Sequence, residues 1–456
     1  MPNLKDNTTN KYVQVTPEEL MDLKEISWIP LDEIVADNPH VLVFPPNGLN
    51  NTKDKIGDSC VVGITANGCI KTTNLIGFIG VGQTQISIHS RFDQTDKDYF
   101  LMYLLNSLYN INIFNFPHGE DRNDKLLDLL IMLFPSYLNS ALKQGVYREY
   151  RSFNRNDAAV KGTIDIPRHI SKNIPFAGKI AYHSREYSYD NDVTQLIRHT
   201  IEFIKTRPFG VAVLSSSQIR IDIGKIYEAT TSYNRQHRNR IIMCNQRGKK
   251  HPYYTAYYPL INICLAILKY ERIAYAHSDT RIYGILFDVS WLWEEYIWSL
   301  IRETSIGFNH PKSKEHKGSI VPFESGKIGR FMPDYYVEKK IVLDAKYKPF
   351  GENPQGNKYP HSDDLQQVIS YMHILDCDIG GFVFPDSISS IDDYNVTELG
   401  KLRGKGGFMY QIGFPIPPSN LDYKHFSDTM KIIEAAFKEN IETLIAFSDV
   451  IIEIER

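Results

Sequence analysis

The sequence predicts a multidomain α+β protein. We expect a β-rich N-terminal domain at residues 1–115, a mostly helical middle region at 116–280 and an α/β domain with a C-terminal helix at 281–456. A chain of 456 residues exceeds the size that one hydrophobic core usually supports. Short β-type segments dominate the first part of the chain, helical spacing of apolar residues dominates the middle, and the two patterns alternate near the end.

The N-terminal part contains short β segments separated by glycines and an Asn-Gly pair, which favour turns; these segments are 60–64, 76–80 and 85–88. Further along, apolar residues recur at spacings of three and four, as amphipathic helices require. This pattern predicts helices at 99–109, 125–142, 193–206 and 259–270. One strand-like segment, 161–166, interrupts the helical middle.

From about residue 282 the pattern predicts a helix at 289–304, two strands, a second helix and another strand. The first of these helices carries an apolar stripe of Trp293, Ile297 and Leu300. After the proline-rich run 415–418, Ser427 with Asp428 is predicted to cap a final helix that extends to about Asn440.

Composition excludes several classes of protein. The five cysteines are scattered and form no CxxC pair, and no HExxH pattern occurs, so neither a disulfide framework nor a zinc site is expected. No Walker A loop occurs, so this chain should not hydrolyse a nucleotide itself. A polar N-terminus and the lack of a long apolar run predict a cytoplasmic protein with no membrane association. A net charge of −3 gives no overall attraction to phosphate.

The stretch 330–348 carries the most chemical information. Its pattern predicts two strands joined by a polar turn at 338–340. In the second strand, two-residue alternation places Asp344 and Lys346 on one face with Val342; the opposite, core face takes Ile341, Leu343 and Ala345. Asp334 belongs to the first strand, and a hairpin would bring it close to Asp344.

Two adjacent carboxylates repel each other, and a divalent cation is the usual reason for such a pair to persist in a folded chain. Hard oxygen ligands suit Mg²⁺, and Mn²⁺ could take its place. A bound cation can activate water for attack on a phosphodiester. Lys346 would orient that water or stabilise charge on the phosphate. The pattern therefore predicts that Asp334 and Asp344 bind metal and that Lys346 is catalytic.

Pro333-Asp334, followed after an apolar strand by Asp344-Ala345-Lys346, resembles the PD-(D/E)XK nuclease motif. Asp-x-Lys alone is a weak signal, because surface Asp and Lys are common, but the paired aspartate and the apolar strand strengthen it. We therefore interpret 281–456 as a restriction-endonuclease-like domain, a metal-dependent endodeoxyribonuclease.

Two flanking helices offer further site residues. Glu294 or Glu295 could complete the metal site, although both could equally be ordinary surface charges. Gln367 could hold a phosphate or the attacking water, and it shares a helix face with Asp364 and Tyr371. The alternative for this second helix is a capped structural helix in which Tyr371 is half-buried.

A basic stretch in the middle region is the best local candidate for contact with DNA phosphates. Its candidate residues are Arg235, Arg238, Arg240, Lys249 and Lys250. A solvated loop is the alternative explanation for the same charges.

Taken together, these segments resemble the McrC family, the nuclease subunits of McrBC-type, 5-methylcytosine-specific restriction systems. The resemblance extends over most of the chain, through 74–79, 86–88, 145–150, 160–165, 189–192, 196–199 and 292–296, and then Asp334, Asp344-Ala345-Lys346 and Gln367 with Tyr371. The family helix favours Glu294 over Glu295. The sequence departs from the family at Ser90-Arg91, which stands where the family commonly has a proline-lysine pair.

The resemblance implies a partner, an McrB-like AAA+ GTPase that recognises DNA and translocates it. The family's McrC subunit cuts DNA in antiviral defence and stimulates that GTPase. It follows that GTP is used by the partner, that the substrate is double-stranded DNA, methylated DNA included, and that residues 1–115 are the candidate partner-binding domain.

Two alternatives remain open. The chain could be mainly a regulatory subunit of an AAA+ motor with a nuclease fold that is not catalytic, or a nuclease that works without a motor. The intact set of two aspartates and a lysine favours catalysis over the first alternative.

Overall fold

The computed structural model describes residues 3–10, 15–38, 41–45, 56–93, 95, 97–109, 122–207, 209–246, 251–275, 282–311, 320–325, 329–348, 351–352, 358–387, 396–404 and 406–455. The chain divides into two units. One unit combines Met1–Phe114 with Ser278–Arg456, and the other is Asn115–His277. The sequence analysis separated 1–115 from 281–456, whereas these two segments belong to one unit.

A five-stranded sheet joins the two ends of the chain within the first unit. Its strands lie in the order Asn3–Lys5, Thr84–His89, Leu75–Val81, Ile282–Asp288 and Val41–Phe44. Ile282–Asp288 pairs antiparallel with Leu75–Val81 over its whole length. Gly77 permits this close pairing, because a Cβ there would lie 2.1 Å from the Ile285 carbonyl oxygen. A strand from the C-terminal segment thus completes the N-terminal sheet.

Smaller elements cover this sheet. They are a three-stranded sheet of Thr9–Asn10, Ile70–Thr72 and Val62–Ile64, the helices Pro17–Lys24 and Leu31–Asp37, and the 3₁₀ turn Ile56–Asp58. The helix Tyr99–Tyr109 packs instead on the helix Val289–Ile301, where Phe100 contacts Trp293. Thr16 and Glu19 form a capping box at the first helix. Buried Leu4, Leu23, Val62, Ile79 and Leu286 belong to the shared core. The helix at 99–109 has the bounds that its apolar spacing predicted.

A second five-stranded sheet forms the rest of this unit. Its order is Tyr335–Val337, Ile341–Ala345, Ile379–Ser387, Phe408–Ile416 and Val396–Lys401, with the three central strands parallel and both edges antiparallel. The helix Ser362–Leu375 connects the second and third strands, as a parallel crossover requires. A two-stranded ribbon pairs Gly351–Glu352 with Lys358–Tyr359.

Both faces of the strand Ile341–Ala345 are buried, which corrects the expectation of one core face. Val342 is fully buried in a cluster with Val368, Tyr371, Met372 and Phe382. The helix Ser362–Leu375 covers this face, so only the end of the strand is left for polar residues.

Two helices of this unit differ from prediction at their ends. Asp288 caps the helix Val289–Ile301 by accepting hydrogen bonds from the Ser290 and Trp291 amides, so this helix begins at the predicted residue but ends before Thr304. The final helix is Tyr423–Glu455. Ser427 lies inside this helix and is buried. Asp422, which precedes the helix, accepts a hydrogen bond from the His425 amide in its first turn and so occupies the capping position that was predicted for Ser427. The predicted cap at Ser427 and Asp428 is therefore wrong.

The second unit contains the helices Arg122–Leu142, Ile166–Asn173, Asp192–Lys205, Gly210–Val213, Ser217–Ala229, Arg238–Asn245 and Tyr257–Tyr275 and the 3₁₀ turn Arg235–His237. It also holds an antiparallel sheet of Glu149–Asp157, Ile180–Ser188 and Thr163–Ile164. The sequence analysis predicted only a strand near 161–166. Glu149–Asp157 has no buried residue, Ile180–Ser188 has three, and both strands are rich in polar side chains, so they lack the apolar alternation that marks a strand.

Among the described residues, no helix combines the length and the apolar character needed to cross a membrane.

Candidate active site

A hairpin brings the two predicted aspartates together. Tyr335–Val337 pairs antiparallel with Ile341–Ala345, and the register Tyr335↔Leu343 places Asp334 opposite Asp344. The turn between the strands contains Lys339 with a φ of 61°. Asp334 Oδ2 accepts a hydrogen bond of 2.7 Å from the Ala345 amide. Both aspartates are buried, with 4% and 1% of their surface exposed.

Lys346 lies directly beside these carboxylates. Its Nζ is 2.7 Å from Asp344 Oδ2, 3.0 Å from Gln367 Oε1 and 3.5 Å from Asp364 Oδ1. Burial alone would lower the pKa of Lys346, but the charges of Asp344, Asp334 and Asp364 and the hydrogen bond to Asp344 outweigh it and raise that pKa. With these carboxylates beside it, the ammonium is suited to act as a cation and a hydrogen-bond donor.

Gln367 connects the lysine to the neighbouring helix. Its Oε1 accepts from Lys346, and its Nε2 donates to the Tyr371 hydroxyl at 3.0 Å. Tyr371 is buried and packs edge-on against Phe331. The helix face that the sequence singled out thus lies against the hairpin. Tyr371 is buried there and not half-buried, and within the described residues no side chain caps the start of this helix.

The glutamates of the helix Val289–Ile301 lie on the Asp334 side of the site. His310 Nδ1 donates a hydrogen bond of 2.7 Å to the Asp334 carbonyl oxygen. His310 Nε2 lies 3.9 Å from Glu294 Oε1 and 3.7 Å from Glu295 Oε1. The two glutamates are therefore almost equally distant from this ring, and the distances favour neither.

Tyr335 links this helix to the hairpin, because its hydroxyl donates a 2.5 Å hydrogen bond to the Glu294 carbonyl oxygen. Burial raises the pKa of Tyr335 well above its usual value. The nearby carboxylates raise it further: Asp334, Glu294, Glu295 and Asp344. One buried ring thus feels the charge of all four acids.

Three residues of this site were not among the predicted catalytic residues. Asp364 lies in the first turn of its helix, and its carboxylate contacts both Lys346 and, at 2.7 Å, Lys348. Lys348 follows Lys346 by two positions. Residues at this spacing share a face of an extended chain, and this pattern could have identified Lys348. His310 lies in an irregular segment after a helix, where no periodic signal points to it.

The donor set fits Mg²⁺ better than zinc. Asp334 and Asp344 offer only oxygen atoms, and Mg²⁺ is commonly held by one or two carboxylates with waters. Within the described ranges, no three His, Cys, Asp or Glu side chains gather into a group that could hold a metal ion. The predicted third ligand, Glu294, is therefore not gathered with the two aspartates here.

The predicted phosphate-binding stretch belongs to the other unit. Arg235 and Arg240 are exposed, whereas Arg238 donates to the Leu268 carbonyl oxygen at 3.0 Å and stacks on the Phe203 ring at 5.0 Å. Arg238 thus holds helices together, which argues against a free phosphate contact. Lys249 and Lys250 lie outside the described residues.

Comparison with known proteins identifies the family. A family model described as the McrBC 5-methylcytosine restriction system component matches residues 70–385. No curated protein sequence matches this chain. Four chains of solved structures match. Two of them come from Thermococcus gammatolerans.

The first is a refined half-complex from a tetradecameric assembly of McrB AAA+ hexamers with bound McrC. It is 17% identical with a TM-score of 0.49 and covers 94% of this chain and 99% of that chain. The second is the cryo-EM structure of the McrBC complex, 15% identical with a TM-score of 0.33, covering 66% and 87%. Since the family model matches well over half of the sequence, this chain belongs to the McrBC 5-methylcytosine restriction system component family.

Proposed function

We propose that this chain is the Mg²⁺-dependent endodeoxyribonuclease subunit of a modification-dependent restriction system, with a PD-(D/E)XK centre. The observation that carries this proposal is the placement of the Lys346 ammonium 2.7 Å from Asp344, opposite Asp334 in the same hairpin. Two buried carboxylates and one protonated lysine at a strand end form a set that phosphodiester hydrolysis can use.

Each residue has a distinct part in this chemistry. Asp334 and Asp344 would hold Mg²⁺, which supplies an activated water and neutralises phosphate charge when bound. Lys346 donates hydrogen bonds to the phosphate oxygens and stabilises the negative charge that builds on them during attack. Gln367 restrains the ammonium, and Tyr371 restrains Gln367 in turn.

Glu294 is proposed as the third acidic residue, with Glu295 as its alternative. His310 lies between both glutamates and the Asp334 backbone, and it ties this helix to the hairpin. Removal of either charge would test which one serves the site, because a carboxylate that faces the cation should change the Mg²⁺ requirement.

The proposed partner is an McrB-like AAA+ GTPase, which would use GTP and deliver double-stranded DNA, methylated DNA included. Family membership supports this partner, and a Thermococcus McrC is bound to McrB hexamers. We propose residues 1–115 as the domain that binds this partner. In the other unit, however, large apolar side chains are exposed along one short segment, at Ile166, Ile170, Ile174 and Phe176. Such a patch suits a protein partner.

The test is cleavage of methylated duplex DNA by the complex with its GTPase, in Mg²⁺ and GTP. Asp344→Asn and Lys346→Ala should abolish cutting while partner binding and GTPase stimulation persist. Lys340→Ala removes the same charge at the other, exposed end of the strand and should cut normally. Equal cutting by all variants would exclude this site. Stimulated GTP hydrolysis without any cutting by the wild type would favour the regulatory alternative.

A further inference from the structure

One carboxylate, that of Asp364, is shared by two lysines at the end of the catalytic strand. Its Oδ1 lies 3.5 Å from Lys346 Nζ and its Oδ2 lies 2.7 Å from Lys348 Nζ. The Asp364 side chain is 10% exposed. The two ammonium groups therefore lie on either side of one largely buried carboxylate, next to the atoms proposed for catalysis.

The two lysines differ in their surroundings. Lys346 is in contact with three oxygen acceptors, on Asp344, Gln367 and Asp364, which matches the three hydrogens of an ammonium. Lys348 ion-pairs with Asp364 and its side chain is 34% exposed, against 20% for Lys346. Lys348 can thus reach a bulky anion from the solvent side without leaving the catalytic strand end.

The net charge around Lys346 and Lys348 is negative because carboxylates outnumber ammonium groups there. Asp334, Asp344 and Asp364 face the two ammonium groups, so the group of five carries one excess negative charge. DNA phosphates are repelled by such an excess and attracted once a divalent cation reverses it. A phosphate that approaches would compete with Asp364 for the lysines, because both are anionic oxygen acceptors.

We propose that Lys348 is a substrate-binding residue that contacts a DNA phosphate next to the one that is cut, and that Asp364 is a positioning residue which holds Lys348 and Lys346 until the phosphates replace it. This inference rests on the proposed nuclease function. A substrate phosphate first takes the place of Asp364 at Lys346, because that contact is the longer of the two. Lys348 stays paired with Asp364 during this step and neutralises its charge.

The alternative is a purely structural role, in which Lys348 only neutralises the buried Asp364. A largely buried carboxylate does need a nearby cation, and removal of that cation destabilises a fold. The two explanations differ in what they predict for DNA binding. A phosphate contact adds to the salt dependence of binding, whereas an internal ion pair does not.

The experiment measures binding of a fluorescein-labelled 30-base-pair duplex to the full chain in Ca²⁺, in place of Mg²⁺, from 50 to 300 mM salt. Lys348→Ala should weaken binding about tenfold, as expected for loss of one charged hydrogen bond. It should also reduce the slope of log K against log salt by about one. Lys348→Arg should restore both, and Lys340→Ala should change neither. Tryptophan fluorescence unfolding of each variant checks that it is folded.

Asp364→Asn should have the opposite effect on duplex binding. With the competing charge removed, duplex binding should tighten, while the maximal cleavage rate with the GTPase partner, Mg²⁺ and GTP should fall because Lys346 loses one restraint. An unchanged salt slope for folded Lys348→Ala, or weaker binding by Asp364→Asn, would overturn this inference. No duplex binding by the wild type at 50 mM salt would overturn it as well. Failure of the wild-type complex to cut DNA would instead overturn the proposed function.

Discussion

Arg91 holds Tyr347, the residue that follows the site lysine. Its guanidinium donates a hydrogen bond to the Tyr347 carbonyl oxygen and lies 4.9 Å from the centre of the Tyr347 ring. Ser90 adds a 2.7 Å hydrogen bond between its hydroxyl and that of Tyr347. Ser90-Arg91 is the pair at which the sequence departs from the family pattern. The N-terminal sheet is thus attached, at this pair, to the strand end that carries Lys346.

Arg91→Ala should destabilise this unit by about 3 kcal/mol, because it removes the cation beside the buried Asp6 carboxylate. Arg91→Lys should lose less, since it keeps the charge but cannot reproduce the guanidinium fork. The measurement is urea unfolding followed by tryptophan fluorescence. All four tryptophans lie in 1–114 and 278–456, so the signal reports on this unit. Arg235→Ala, an exposed arginine of the other unit, is the control. A loss equal to that of the control would show that the contact is not stabilising.

Asp6 should make stability depend on pH in an unusual direction. Burial raises the pKa of Asp6 from 3.8 to about 6, against the lowering influence of Arg91 and hydrogen bonds. The folded state then binds the proton more tightly than the unfolded chain, so this group favours unfolding as pH rises from 4 to 6, and its contribution levels off above that range. Between pH 7 and pH 5 it should add about 1 kcal/mol of stability.

Asp6→Asn tests this dependence, since the amide cannot titrate. The difference in unfolding free energy between wild type and Asp6→Asn should move by about 1 kcal/mol in favour of the wild type on going from pH 7 to pH 5, because all other groups cancel. A difference that stays constant, or moves the other way, would mean that the carboxyl keeps an ordinary pKa in the fold.

Gln367 should affect the rate of cutting more than the binding of DNA. Gln367→Ala removes the oxygen that restrains Lys346, and a misplaced catalytic group lowers a rate by roughly tenfold to a hundredfold. Tyr371→Phe should act in the same direction but less, because it removes only the acceptor of Gln367 Nε2. Single-turnover cleavage at saturating DNA measures this rate. Gln366→Ala, an exposed neighbour on the same helix, should cut like the wild type. An equal loss in both glutamine variants would point to damage of the helix.

The sequence predicted local relationships well and distant ones poorly. The hairpin between Asp334 and Asp344 could be predicted because both strands, their turn and their alternation lie within one short stretch. The helix face of Gln367 was also visible, since residues at helical spacing share a side. Its contact with Lys346 was not, because that distance depends on how the helix packs over the sheet.

Pairing across long separations joins the two ends of the chain in one unit, and the sequence pattern does not reveal it. The strand Ile282–Asp288 has the apolar run of any buried strand, and nothing in that run says that it pairs with Leu75–Val81. His310 was missed for a related reason. Its role depends on two glutamates from a helix and a carbonyl oxygen from the hairpin, none of which is near it in a repeating pattern.

Substitution of Glu294 and of Glu295 should have different effects on the Mg²⁺ concentration that cleavage requires. Glu294 is the proposed acidic residue of the site, so Glu294→Gln should raise the Mg²⁺ concentration for half-maximal cleavage by about tenfold, because one attracting charge is lost. Glu295→Gln removes the same charge one position along the helix, at a similar distance from His310, and is the matched control. It should leave the Mg²⁺ requirement near that of the wild type.

The opposite ranking would assign the acidic role to Glu295. An equal shift in both variants would mean that the two carboxylates act only through the general negative potential around Tyr335, where both already raise the pKa of the phenol. In that case His310→Gln should also shift the Mg²⁺ requirement little. If one glutamate has a specific role, His310→Gln should instead weaken metal dependence in the same direction as loss of that glutamate, because His310 joins its helix to Asp334.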